Sequence, residues 1–324
     1  MPAVTYLEAA RRALAEEMRR DPDIWAVGED LGRGGVFGQY RGLIEEFGPE
    51  RIIDAPISEN CILGSSVGAA MLGARPVVEM RFADFALCAI DELVNQAAKA
   101  RYMFGGQTRV PLVVREPVGL WKSAAAQHSQ SLEAWYVHIP GLVVVMPATP
   151  ADNAGLLKAA IRCDDPVVYM EHKDLWGLEG EVPEEIAPIP LGTARLARAG
   201  RDLTIVTWSA MVHGAMEAAE TLAGDGIEAE ILDLRTLWPW DRETVFESVR
   251  RTRRVLIVQE AVRVGGFGAE IAASLAEELH GELVAPIRRL GAPRIPVPYS
   301  PPLEKQVRVS AGRIAETARS LLRA

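Results

Sequence analysis

The chain has 324 residues, 49% of them hydrophobic, which is enough for two domains with sizeable cores. Its net charge of −9 excludes bulk attraction to nucleic acid or to an anionic lipid surface. The three cysteines, Cys61, Cys88 and Cys163, stand far apart without metal-ligand spacing, which fits a reducing, cytoplasmic setting.

The start, Met1-Pro2-Ala3-Val4-Thr5, has neither the basic nor the apolar region of a signal peptide, and no apolar run suits a membrane span. Thr5 and Glu8 form a capping box that predicts a helix through about Arg20. Residues 24–27 predict a short strand, followed by Gly28-Glu29-Asp30 and the cluster Gly32-Arg33-Gly34-Gly35. That cluster lacks the Gly-Lys-Ser/Thr ending of a P-loop and is expected to be a flexible loop.

Next comes Arg51-Ile52-Ile53-Asp54-Ala55-Pro56-Ile57-Ser58-Glu59-Asn60. Residues 51–53 predict a strand, and Pro56 disfavours helix at Ala55. Ser58 suits an N-cap, and Ile57 and Ile62 stand at the positions of a hydrophobic staple. Glu59 is thus expected in the first turn of a helix at the carboxyl end of a strand, where ligands gather in open α/β sheets. Spacing alone makes Glu59 an acid that complements the helix dipole. However, residues 62–74 carry no charge, so the helix is expected to be buried all round. A carboxylate on the end of a buried helix is either paired or used.

Residues 76–80 predict a buried strand, 84–103 a helix ended by Gly105-Gly106, and 111–114 another strand. Periodicity is weak over 116–130. A strand at 142–146, a helix at 151–162 and a strand at 166–170 follow. Such alternation implies a mostly parallel sheet with helices on both faces. The Glu- and Pro-rich stretch around 175–199 marks a solvated connector, so the expected domains are 1–190 and a smaller α/β domain over 191–324. In the second, strands are predicted at 203–208, 228–232, 255–258 and 287–290, with helices at 211–223, 243–250 and 266–280, and the stretch 302–322 is expected to end in a helix.

Several motifs have dull explanations. Gly224-Asp225-Gly226 has the opening of a magnesium–diphosphate site, but no Asn occurs after Asn153 to complete it. Gly265-Gly266-Phe267-Gly268 fails the dinucleotide-binding spacing, and close backbone packing or a subunit contact explains it better. Gly64-Ser65-Ser66-Val67-Gly68 matches a nucleophile elbow only inside a predicted helix, which disfavours a Ser-His-Asp hydrolase. His128, between Gln127 and Ser129, is by itself more often structural than catalytic, as are His138, His172, His213 and His280. Phe82 and Phe85 are, taken alone, core aromatics.

Together the pieces resemble a family. Arg-Ile-Ile-Asp-x-Pro-Ile-Ser-Glu at 51–59, Phe-Ala-Asp-Phe at 82–85, Gln-His-Ser-Gln at 127–130, Pro-Gly-Leu-Val-Val-Val-Met-Pro at 140–147, Asp-Leu-Arg-Thr-Leu-Trp-Pro-Trp-Asp at 233–241 and Gly-Gly-Phe-Gly-Ala-Glu-Ile at 265–271 occur in one order. The chain resembles, nearly end to end, the beta subunit of thiamine-diphosphate-dependent 2-oxo acid dehydrogenases of the pyruvate, branched-chain and acetoin type.

The resemblance implies a transketolase-like pyrimidine-binding domain followed by a transketolase C-terminal-like domain. It implies an alpha partner holding the diphosphate and Mg2+ in a two-alpha, two-beta heterotetramer, with a small 2-oxo acid as substrate and a lipoyl-bearing acyltransferase as acceptor. By position, Glu59 would hydrogen-bond N1′ of the aminopyrimidine and favour its 4′-imino tautomer, while Phe85 stacks on the ring and Ile57 borders it. Glu29 would join a proton relay between the two sites of the tetramer, and His128 would face the substrate carboxylate or the acyl acceptor. Leu112, Ala160, Ile161, Cys163 and Asp165 match positions that hold a potassium ion in some members. One stretch departs from the pattern: residues 116–123 read Glu-Pro-Val-Gly-Leu-Trp-Lys-Ser where the family has a Gly-rich loop, and the bulky Trp121 and cationic Lys122 are expected to narrow the substrate entrance or to add a charge for an unusual acid. The competing expectations are one half of a split transketolase-like enzyme acting on sugars, and a non-catalytic scaffold.

Overall fold

The computed structural model describes residues 3–323. They form two compact units, one comprising the chain up to Val118 with Trp135–Leu191, the other Gly119–Ala134 with the chain from Gly192 onward.

The first unit opens with β1 (Ala3–Thr5) and α1 (Tyr6–Arg20), then β2 (Ile24–Gly28), α2 (Leu43–Phe47), β3 (Ile52–Asp54), α3 (Glu59–Met71), β4 (Arg75–Glu79), α4 (Ala83–Ala86) and α5 (Ala98–Met103). After β5 (Val113–Val118) come α6 (Glu133–Val137), β6 (Val143–Val145), α7 (Pro150–Arg162), β7 (Val167–His172) and β8 (Glu179–Glu181). The parallel strands of this unit run in the order β6-β7-β5-β4-β2-β3, and β1 pairs antiparallel with β8. Every residue of β5 and β7 is buried, as expected of a parallel sheet covered on both faces. One core cluster joins Leu14 and Met18 of α1, Ile24, Ile52 and Tyr169 of the strands, and Leu157 and Ile161 of α7.

Thr5 caps α1 as its sequence predicts, its Oγ1 accepting from Glu8 N at 3.1 Å. The return bond of the capping box is replaced by an ion pair between Glu8 and Arg11. The helix expected at 84–103 forms as one continuous helical stretch over residues 83–103, but its pitch changes from α4 through a 3-10 turn at Leu87–Ala89 and a π-helical segment at Glu92–Ala97 into α5. The expectation that the helix after Glu59 is buried all round is not met within this chain. Ile62, Leu63, Ser66, Val67 and Ala70 face inward, whereas Cys61 and Gly68 are exposed and Leu72, just past α3, is 92% exposed.

The second unit contains β9 (Arg195–Arg198), β10 (Leu203–Thr207), α8 (Met211–Ala223), β11 (Ala229–Asp233), β12 (Thr236–Trp238), α9 (Arg242–Thr252), β13 (Val255–Val262), α10 (Gly268–Glu278), β14 (Arg288–Ala292), α11 (Pro301–Val307) and α12 (Ala311–Leu322). Its five-stranded sheet runs β14-β13-β10-β11-β9, parallel except for β9. α8 and α12 close one side through Ala215, Ala218, Leu222, Ile314, Ala318 and Leu321. The stretch 302–322 ends in a helix as expected, α12, whose N-cap is the Ser310 hydroxyl, with the shorter α11 before it. The Gly265-Gly266-Phe267-Gly268 turn is a packing device. A Cβ on Gly266 would lie 1.8 Å from Gln259 Nε2, and Gly268 N donates to Gln259 Oε1 at 2.9 Å.

Candidate active site

In the first unit the carboxyl ends of β2 and β3 lie side by side, with Gly28 opposite Asp54. A side chain at Gly28 would put its Cβ 2.7 Å from the Glu79 carbonyl oxygen, and one at Gly32 would sit 2.8 Å from Asp54 Oδ2. These two glycines press the loop after β2 against its neighbours and carry Glu29 to a position only 9% exposed. A cavity of about 360 Å³ opens there, lined by Glu29, Asp54, Pro56, Ile57 and Arg81 among others. Arg81 Nη1 lies 3.5 Å from Glu29 Oε2 and 3.2 Å from Asp30 Oδ2.

Glu59 is the first residue of α3 and is half-buried. It is close enough to Glu29 for the two charges to interact. Burial pushes the Glu29 carboxyl above its ordinary value, the Glu59 charge pushes it further, and Arg81 opposes both. The local signals that pointed to Glu59 work differently from expectation. The Ser58 hydroxyl donates to Pro56 O at 2.8 Å instead of capping α3. Ile57 is 75% exposed, so no hydrophobic staple forms. Phe85, half-buried in α4, meets Phe82 edge-on at 5.5 Å, and Lys173 Nζ lies 4.8 Å above the Phe82 ring.

Beneath this surface lies a buried ionic network that sequence reasoning missed. Arg115 Nε and Nη2 donate to Glu171 Oε2 at 2.9 and 2.6 Å, and Arg115 Nη1 is 3.5 Å from Glu79 Oε2. Tyr40 and Gln39 donate to Glu79, and Asn153 donates to Glu171. Burial raises the Glu79 carboxyl to about 7, with Arg115 opposing the shift. Since Gln39 and Tyr40 follow the Glu29 loop, the network braces that loop against the sheet. The available signal was the presence of charged residues within three strands rich in valine, Glu79 in β4, Arg115 in β5 and Glu171 in β7.

The five residues expected to hold potassium have much of their acceptor capacity engaged within the chain. Arg75 Nη1 donates to the carbonyls of both Ile161 and Cys163, at 3.0 and 3.1 Å. Ala160 O accepts from Cys163 N, and Leu112 O from Val167 N. Asp165 pairs with Arg101, while Asp164 pairs with Arg75 and Arg109. Guanidinium groups therefore supply the positive charge that the carboxyl end of α7 favours.

His128 belongs to the second unit, half-buried on the segment Gly119–Ala134. Gly119 N donates to Gln130 O at 3.2 Å and closes the neck of this segment. Lys122, Ser123 and Ala125 all have positive φ, at 43°, 59° and 63°. Each such non-glycine residue costs on the order of 1 kcal/mol or more, so the segment must be held from outside. Lys122 Nζ lies 5.0 Å over the Trp121 ring, which places the two unusual residues of this stretch against each other.

The sequence matches the transketolase pyrimidine-binding domain family over residues 2–177 and the transketolase C-terminal domain family over residues 192–314. It is 47% identical to the acetoin:2,6-dichlorophenolindophenol oxidoreductase subunit beta of Cupriavidus necator, covering 97% of this chain and 96% of that one. It is 44% identical to the 2-oxoisovalerate dehydrogenase subunit beta of Bacillus subtilis, over 99% of both chains. It is 43% identical to the pyruvate dehydrogenase E1 component subunit beta of Rickettsia felis, over 98% of both. Among solved structures, a split-gene transketolase described as an inactive beta4 tetramer shares the fold, with a TM-score of 0.82, 24% identity and coverage of 99% of this chain and 98% of that one. A transketolase of Pichia stipitis superposes at a TM-score of 0.70 and 15% identity, over 100% of this chain and 47% of that one. By sequence and by fold, the chain belongs to the E1 beta subunits of the 2-oxo acid dehydrogenase complexes, built on the transketolase fold.

Proposed function

We propose that this beta subunit supplies the aminopyrimidine end of a thiamine diphosphate site in a two-alpha, two-beta heterotetramer, whose alpha chains hold the diphosphate and Mg2+. The observation that carries the reading is the pair Glu59 and Glu29, two charge-coupled carboxyl groups at the carboxyl ends of parallel strands. The donor chemistry suits the pyrimidine: a half-buried carboxyl group at the start of α3, an apolar Ile57 and an aromatic Phe85. Potassium is left out, because Arg75 holds two of the carbonyls it would need, those of Ile161 and Cys163.

When bound, thiamine diphosphate supplies a carbon nucleophile and an electron sink for decarboxylation of the 2-oxo acid. Glu59 holds the proton at N1′ of the pyrimidine, and its partial burial keeps water from competing for that bond. Phe85 and Ile57 fix the ring plane. Glu29, whose carboxyl group burial pushes above its ordinary value, joins the proton relay with Glu59. His128 meets the substrate carboxylate or the acyl acceptor, and the acceptor is a lipoyl group on the acyltransferase component. The division at residue 190, between the pyrimidine-binding and C-terminal domains, belongs to the same reading. So does a cytoplasmic setting, which suits three free cysteines. No helix among the described residues is long and apolar enough to cross a membrane.

The test is reconstitution. The chain co-expressed with its alpha partner should release carbon dioxide from a small 2-oxo acid and acylate a lipoyl domain. Ketol transfer between sugars with no 2-oxo acid turnover would instead assign it to the split transketolases.

A further inference from the structure

The strained segment that carries His128 is held at two points by buried carboxylates of its own unit. Glu260, on β13, accepts from Leu120 N at 2.8 Å and from Ser131 Oγ at 3.3 Å, so one carboxylate ties both sides of the neck. Glu304, on α11, accepts from Ser123 N at 2.7 Å, in the middle of the left-handed run, and is itself held by Arg308 at 3.0 Å. Both carboxylates are buried, at 9% and 6% exposure. A buried carboxylate that accepts backbone N–H groups forms charge-assisted bonds, stronger than neutral ones. Such bonds are what a segment with positive φ at Lys122, Ser123 and Ala125 requires to keep one conformation.

We propose that Glu260 and Glu304 are positioning residues, which fix the conformation of the Gly119–Ala134 segment and through it the place of the His128 imidazole. The inference rests on the role given to His128 above. Glu260 sets the neck and Glu304 sets the tip, so loss of either lets the segment relax out of its strained form. A displacement of about 1 Å at a reacting group can cost on the order of a hundredfold in rate. The two acids touch neither substrate nor cofactor in this scheme, so their effect passes entirely through His128.

The test uses the assembled complex with Glu304→Leu, Glu304→Gln, Glu260→Leu, Glu260→Gln and His128→Ala, each checked for an unchanged thermal midpoint. Hydrogen–deuterium exchange is followed over residues 119–134, and kcat and KM are measured with a 2-oxo acid and a lipoyl domain. The leucine variants should exchange faster in that segment and lose about ten- to a hundredfold in whichever parameter His128→Ala impairs. The glutamine variants, which keep an acceptor oxygen, should recover most of the loss. Glu304→Leu combined with His128→Ala should be no worse than His128→Ala alone. Unchanged exchange in a folded leucine variant would overturn the inference, as would losses that add to those of His128→Ala. Full activity of His128→Ala would remove the role of His128 and the inference with it. In that case faster exchange in the leucine variants would show that the clamp exists but positions nothing catalytic.

Discussion

Arg115 and Glu171 share a buried ion pair, with two guanidinium nitrogens at 2.9 and 2.6 Å from one carboxylate oxygen, between adjacent strands β5 and β7. Glu79 completes the group from β4, and Tyr40 and Gln39 link it to the loop that follows Glu29. Removing one member of such a group leaves buried charge without compensation. Arg115→Met should therefore destabilise the subunit by about 3–5 kcal/mol, read as a lowered denaturant midpoint. A variant of unchanged stability would mean that the network contributes no net energy.

Two buried acids give stability a pH dependence. Burial raises Glu79 to about 7 and Glu116 to about 8. A carboxyl group whose folded value exceeds its unfolded one binds more protons when folded, so its contribution is present at low pH and is lost as pH rises. For these two groups the decline runs from the ordinary carboxylate value of 4.5 up to about 7 and about 8 respectively. Glu116→Gln should flatten the upper part of the curve and raise the thermal midpoint at the alkaline end of that range. An identical slope in the variant would show that Glu116 does not titrate there.

Arg75 bridges two carbonyls at the end of α7. The thermal midpoint of the complex should be the same in potassium and in sodium at equal ionic strength. Arg75→Met should destabilise the complex by about 1–3 kcal/mol, read as a lowered thermal midpoint, since two carbonyl acceptors lose a charged donor. A specific stabilisation by potassium in the unaltered complex would contradict this.

Gly28→Ala tests the close approach beneath Glu29. Its Cβ would fall 2.7 Å from one backbone oxygen and 2.9 Å from Glu79 Cβ, contacts that cannot relax without moving β2 or β4. Decarboxylation should drop by about tenfold or more through misplacement of Glu29. Near-normal rates would show that the loop tolerates the shift.

Much of this architecture was legible in the sequence where a local signal and a tertiary need agree. The Thr5 cap, the strand at Leu203–Thr207 and the helix Met211–Ala223 follow directly from capping and periodicity. The helix after Phe82 is legible as a helix, while its changes of pitch, a 3-10 turn and a π-helical segment, leave no mark in the apolar spacing. α3 looked buried all round because small residues carry no charge, yet Cys61, Gly68 and the following Leu72 are open in the single chain. The position of Glu59 was legible from Pro56 and the strand-to-helix switch, although Ser58 and Ile57 do not act as their types suggest. Its coupling to Glu29 was not legible, because it arises from strand order, which places β2 beside β3. The grip of Glu260 and Glu304 on the His128 segment was hidden for a similar reason, since it spans well over a hundred residues of chain.

The proposed chemistry rests on the carboxyl group of Glu59 at the start of α3. The direct measurement is the rate of hydrogen–deuterium exchange at C2 of thiamine diphosphate bound to the reconstituted complex, comparing the unaltered beta subunit with Glu59→Gln. The account predicts that exchange falls by about a hundredfold or more while cofactor binding persists, because the amide cannot hold the proton at N1′. Exchange at the unaltered rate would contradict it.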